Sequence, residues 1–167
     1  LARIRDNGRD GFYKGETADL LVAEMQAGNG IISHEDLEAY QAVWRKPVVE
    51  NYQEDYRIIS MSPPSSGGIA LVQLLEGSEM FDFKKMGHNS VESIHVMTEL
   101  QRRVYADRST HLGDMDFYEV PNKELLSADY LQKRFGDIAM DKKTDSQDIK
   151  EGKVEVIVKE NNKLVFK

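Results

Sequence analysis

Cysteine is absent from the 167 residues. That excludes disulfides, thiolate nucleophiles and zinc sites built on cysteine, and leaves the compartment open. No stretch approaches the roughly 20 apolar residues of a membrane-spanning helix, so no membrane partner is expected. Positive charge is also in deficit: 22 Lys and Arg stand against 29 Asp and Glu, a net charge of −7. A phosphate-binding face needs the opposite balance, so nucleic acid is not expected as a partner. Histidine is scarce, with His34, His88, His95 and His111 scattered along the chain. None of them forms the i, i+4 pair of a zinc helix, and no metal site is expected. The sequence opens on Leu1 inside a helical pattern rather than on Met, and we read this as a fragment boundary.

What is present fits one globular fold. The apolar share of 40% and charged share of 31% are those of a chain with a real core. The sequence predicts a helix ending at Asn7 with Gly8 as its stop. A turn follows over residues 9–15, and then an amphipathic helix over 16–27 whose apolar positions are Ala18, Leu21, Val22 and Met25. Ser33 and Asp36 have capping-box spacing for a helix holding Leu37 and Tyr40, extending toward Val43 and Trp44. Residues 47–52 and 56–61 read as a β-hairpin. The longest helix starts at Gly87-His88-Asn89-Ser90, with Asn89 as cap and an apolar stripe of Ile94, Met97, Leu100, Val104, Tyr105 and Leu112. Ser127 caps a further helix with Tyr130, Leu131 and Phe135.

The organisation expected is a helical lobe over residues 1–140, a polar linker over 141–153 and a β-hairpin over 154–167. Residues 141–153 read as solvated or disordered because they carry no apolar face. The fold class is α+β and mostly helical. An apolar face left bare, or edge pairing of residues 154–167, would favour a homo-oligomer.

The chain turns on the corner Ser62-Pro63-Pro64-Ser65-Ser66-Gly67-Gly68. Two prolines end the strand before it, since they lack the N–H a ladder requires. Ser65 and Ser66 have three readings. They can cap the helix that follows, they can act as nucleophiles if a base lies beside them, or the loop can hold an anion on free N–H groups. There is no Gly-x-Ser-x-Gly elbow and no Lys or Arg in the loop. Gly77 is expected to weaken the end of the helix after the corner, and residues 80–83 to close the core. Asp107, Arg108, Asp114 and Asp116 read as a helix terminus tied down by Asp–Arg pairs, or as a seat for a substrate amine or a cation.

Several stretches together carry a resemblance. Asp10-Gly11-Phe12-Tyr13-Lys14-Gly15, Gly30 to Leu37, Ser60 to Gly68, Gly87 to Ser90, Tyr105-Ala106-Asp107-Arg108 and Leu112 to Phe117 resemble, in order and spacing, segments of the gamma-glutamyltranspeptidase family. The sequence departs from the usual pattern at Ser62, Met115 and Glu151, where proline is common. The match runs from Leu1 to about Gly152 and resembles the C-terminal portion of the large subunit.

The resemblance implies an αββα fold of N-terminal-nucleophile hydrolases. It implies a precursor that cleaves itself before a threonine, and a small subunit that begins with that threonine. The threonine hydroxyl attacks the gamma-glutamyl amide of glutathione-like compounds and passes the acyl group to water, amino acids or peptides. Residues 146–152 resemble the segment shortly before the cleavage site, yet no Thr-Thr-His follows. The resemblance therefore places no catalytic or substrate-binding residue on this chain and implies no cofactor. Pro63, Pro64, Ser65, Ser66, Gly67, Gly68, Asp107 and Arg108 are expected as scaffold, and the 167 residues alone are expected to be inactive. A periplasmic or extracellular location is implied only by the family. Alternative readings are a non-catalytic structural or dimerisation module, and a fragment of a related cephalosporin acylase or polyglutamate transpeptidase.

Overall fold

The computed structural model describes residues 1–150 and the strands Ile157–Glu160 and Lys163–Phe166. It divides into an N-terminal unit, Leu1–Trp44, and a C-terminal unit, Arg45–Lys167. The architecture is the α+β, mostly helical class expected, with short antiparallel hairpins.

In the N-terminal unit, α1 (Ala2–Asn7) stops at Gly8, whose φ of 57° suits a residue without a Cβ. The predicted turn over 9–15 is instead a short helix, α2 (Asp10–Tyr13). Arg9 anchors it by donating to the backbone oxygens of Glu38 at 2.8 Å and Tyr40 at 2.6 Å. The expected amphipathic helix is α3 (Gly15–Ala27). It packs Ala18 and Val22 on Leu37 of α4 (His34–Ala39). Ser33 and Asp36 form the reciprocal capping box their spacing predicts. That helix ends sooner than expected: Tyr40 is its C-cap, stacked on Tyr13 with ring centroids 5.5 Å apart. Val43 and Trp44 lie beyond it and are exposed.

The C-terminal unit begins with the expected hairpin. Strand β1 (Val48–Tyr52) pairs antiparallel with β2 (Tyr56–Ser60), Val48 opposite Ser60 and Tyr52 opposite Tyr56. The corner leads into α5 (Gly67–Ser78), followed by α6 (Phe83–Met86) and the long α7 (Val91–His111). Then come α8 (Asn122–Leu125), α9 (Ala128–Phe135) and α10 (Ser146–Lys150). One core cluster gathers Val96, Leu100 and Val104 of α7 with Leu131 and Phe135 of α9 and with Ile138. Phe81 and Phe83 close it, as the sequence suggested. A second joins Val48, Ile69, Val72 and Leu125 beneath the hairpin.

Two local expectations about α7 are corrected here. Ser90, not Asn89, caps α7: its hydroxyl accepts from the Ser93 N–H, while Asn89 adopts a φ of 53° in the turn before it. The buried stripe of α7 is rotated, because Val96 joins Leu100 and Val104 while Ile94, Met97 and Tyr105 are at least half exposed. Gly77 is the penultimate residue of α5, at the end it is expected to weaken, and a Cβ there would meet Leu100 at 2.7 Å and Phe135 at 2.9 Å. Within the 141–153 stretch, residues 141–143 and 145–148 are exposed. Residues 146–150 form α10, and Ile149 is buried. Strands β3 (Ile157–Glu160) and β4 (Lys163–Phe166) pair antiparallel, and the rest of residues 151–167 lies outside the described residues.

Candidate functional site

The corner is fixed by backbone geometry before any side chain acts. The Pro63–Pro64 bond is cis, and the Ser65 N–H donates to the Ser62 oxygen at 3.2 Å. Pro63 and Gly68 are buried, while Pro64 and Gly67 face solvent. A Cβ on Gly68 would lie 2.1 Å from the Met61 oxygen, so the helix can pass this close to the departing strand only with glycine here.

The serines do not cap α5 as expected. Ser66 occupies the N-cap position but makes no side-chain cap bond. Its hydroxyl instead accepts from Arg108 Nε at 2.9 Å. The Ser65 hydroxyl accepts from the Gly67 N–H at 3.3 Å, a local turn bond. The recorded partners of both hydroxyls are donors, not bases, so nothing in these contacts raises their nucleophilicity.

Asp107 and Arg108 are neighbours in sequence that work on different sides of α7. Arg108 is exposed and reaches the corner, with its guanidinium carbon 6.0 Å from the Tyr105 ring centroid. Asp107 is buried, 2% exposed, and its carboxylate accepts from Arg134 at 2.8 Å and from Gln73 Nε2 at 3.2 Å. Gln73 Nε2 donates as well to the Leu125 oxygen at 3.0 Å, linking α5, α7 and α8 through one buried amide. Burial pushes the Asp107 carboxyl up, against the opposing pull of Arg134, Tyr130 and Gln73. Burial, followed by the Asp107 charge, pushes the Tyr130 phenol up, and its buried hydroxyl makes no hydrogen bond of normal geometry among the described residues.

The expected cluster of Asp107, Arg108, Asp114 and Asp116 is therefore not one site. Asp116 takes a bidentate pair from Arg45 at 3.0 and 2.6 Å, and Asp114 lies 3.8 Å from the same guanidinium. The histidines do not converge either. His34 bonds Asp19 at 2.9 Å, His95 bonds the Ala139 oxygen at 2.7 Å, and buried His111 has an unpartnered Nε2. No group of acidic and histidine side chains able to hold a metal occurs among the described residues.

The residues that sequence reasoning missed extend the same buried line along α7. Glu99, Arg103 and Asp107 fall at i, i+4 and i+8, each 2% exposed. Glu99 Oε2 accepts from Arg103 at 2.7 Å, and Arg102 holds the other oxygen. Burial alone would push the Glu99 carboxyl up, but hydrogen bonds from Thr144, Arg103 and Arg102 together outweigh it and draw the group down to about 2. The only signal in the sequence is i, i+4 charge spacing, which usually marks a solvated helix face.

The comparisons with known proteins agree with one another. The family model described as gamma-glutamyltranspeptidase matches residues 1–163. A glutathione hydrolase proenzyme of Escherichia coli (strain K12) is 44% identical over 154 residues, covering 92% of this chain and 26% of that protein. An acylase ACY 1 proenzyme of Pseudomonas sp. (strain V22) is 32% identical over 141 residues, covering 84% of this chain and 25% of that protein. Among solved structures, the gamma-glutamyltranspeptidase of Helicobacter pylori matches with a TM-score of 0.78 and 44% identity, over 90% of this chain and 43% of that one. The gamma-glutamyltranspeptidase of Pseudomonas nitroreducens, complexed with L-DON, matches with a TM-score of 0.79 and 42% identity, over 90% and 45%. The chain thus spans about a quarter of the length of the curated relatives it matches. With the match running through almost every described element and the corner at its centre, the chain belongs to the gamma-glutamyltranspeptidase family.

Proposed function

We propose that these residues form part of the large subunit of an enzyme that cleaves gamma-glutamyl bonds of glutathione-like compounds and passes the acyl group to water, an amino acid or a peptide. In this reading the chain supplies scaffold. Pro63 to Gly68, with Asp107 and Arg108, set the path of the strand-to-helix corner, and the nucleophilic threonine comes from a small subunit. Self-cleavage that frees the threonine consumes one water and exchanges a peptide bond for a carboxyl group and the threonine amine. The observation that carries this reading is the engagement of the corner: Ser66 is held by Arg108, and Ser65 by its own turn. The higher identity to the glutathione hydrolase than to the acylase, 44% against 32%, favours a gamma-glutamyl donor. An exported location goes with the same reading. No helix among the described residues is long and apolar enough to cross a membrane.

The test has two arms. The 167-residue chain alone is expected to release nothing from a chromogenic gamma-glutamyl anilide, and measurable release overturns the scaffold role. A chimera in which residues 1–150 replace the matching stretch of the Escherichia coli proenzyme is expected to keep gamma-glutamyl release. A folded chimera without it counts against the assignment.

A further inference from the structure

Three arginines converge on one short stretch of chain, through its backbone and its side chains. Arg102 donates to the Thr144 oxygen at 3.0 Å and to Ser146 Oγ at 3.2 Å. Arg103 donates to Thr144 Oγ1 at 2.9 Å and to Asp137 at 3.0 Å. Arg134, from α9, donates to the Ile149 oxygen at 2.8 Å and to the Arg103 oxygen at 3.0 Å. Glu99 completes the set by accepting from the Thr144 N–H at 3.4 Å. Before this point, His95 holds the Ala139 oxygen. Residues 137–149 are therefore strapped along α7 from its second turn to its third and fourth.

This is an expensive way to hold a surface strand of chain. Arg103 and Arg134 are at most 8% exposed, and taking two guanidinium groups out of water carries a desolvation penalty that pairing must offset. A polar segment such as 141–150 could lie on an apolar helix face, or in solvent, without any of it. Arginine differs from an apolar contact in what it specifies. Its planar fork fixes carbonyl and carboxylate positions in direction as well as distance. The Ile149 oxygen belongs to α10, the last of the described helices.

We propose that Arg102, Arg103 and Arg134 form a positioning clamp that holds residues 144–149 against α7, and so sets the delivery of the segment that undergoes processing. The second half of this statement rests on the large-subunit reading above. The clamp residues touch neither substrate nor a reacting bond. They act through Thr144, Ser146 and Ile149.

Amide hydrogen exchange on the 167-residue chain tests the clamp directly. Arg102→Gln removes the donors to Thr144 and Ser146 from a partly exposed side chain, so the unit should still fold. Exchange over residues 144–150 is expected to speed up about tenfold, the equivalent of one or two lost hydrogen bonds, with amides of α5 and α7 unchanged. Arg102→Lys keeps a cation for Glu99 but loses the fork, and should behave the same way. Where Arg102 variants fail to fold, Arg134→Lys serves, since it keeps a charge facing Asp107 while giving up the reach to Ile149.

In the chimera with the Escherichia coli proenzyme, the same variants should slow conversion to the processed form roughly tenfold, as expected for a small misplacement of a reacting segment. Unchanged exchange over 144–150 overturns the clamp. Faster exchange there with unchanged conversion overturns the positioning role, and so does loosening spread evenly over the whole unit. If the unsubstituted chimera is never converted, that failure belongs to the large-subunit reading, and the clamp stands or falls on the exchange measurement.

Discussion

A methyl group has no room at Gly68. It would press on the Met61 oxygen, a backbone atom that cannot swing aside, and then on Val48 Cγ2 at 3.2 Å. Relief would require β2 and α5 to move apart beside the second core cluster, which holds Val48, Ile69 and Val72. Gly68→Ala should therefore destabilise the chain by about 1–3 kcal/mol, read as a lower urea midpoint at unchanged slope. Gly67→Ala should cost little, because the nearest atom is the Ser65 hydroxyl at 3.4 Å. The contrast between adjacent glycines was not legible in the sequence, where the two look alike. Nor was the division of labour between Asp107 and Arg108. Both follow from which side of an element faces the core, and that depends on elements far away along the chain. The capping box at Ser33 and Asp36 and the cap at Ser127 were legible, since both are written in spacings of three residues.

At the scale of an element, α7 explains most of the misreading. Its sequence offers an apolar stripe through Ile94, Met97 and Tyr105, and periodicity alone assigns that stripe to the core. In the fold, ion pairs among Glu99, Arg103, Asp107 and Arg134 turn the helix so that charge is buried and much of that stripe is exposed. The same ion pairs give the element a pH signature. Glu99 is drawn down to about 2 in the folded chain from an ordinary value of 4.5. A lowered carboxyl stabilises the fold above pH 4.5, and that contribution is lost as pH falls through 4.5 toward 2. Asp107 works in the opposite sense, because a carboxyl raised by burial favours the fold most below its unfolded value and loses that contribution as pH rises. Thermal unfolding of the parent chain should lose stability between pH 5 and 3, and Glu99→Gln should flatten that slope while lowering stability at pH 7. An unchanged slope in Glu99→Gln would exclude this residue as its source.

At the scale of the whole molecule, the chain is two units joined at Trp44–Arg45. The junction falls inside residues 40–47, which carry no regular secondary structure, and Val43 and Trp44 are fully or largely exposed. A sequence without a proline- or glycine-rich linker gave no hint of this boundary. Brief digestion with a low concentration of protease should cut first within residues 40–47 and leave two products that match the units, read by intact mass. First cuts inside α5 or α7 would contradict the division. The family, by contrast, was legible from motifs spread over both units, because turns and caps keep their residues wherever the backbone must bend sharply.

The buried ion pairs also impose an order in time. The partners are distant along the chain: Asp107 waits for Gln73 behind it and Arg134 ahead, and Arg103 waits for Thr144. Until all of them arrive, each charge keeps its water, and a dry interior around α7 is out of reach. Apolar contacts such as Leu100 with Phe135 can form while those charges are still hydrated. Collapse is therefore expected to come first, and the locking of residues 137–149 to follow it. The strap should likewise be the first part to come loose when the fold begins to open.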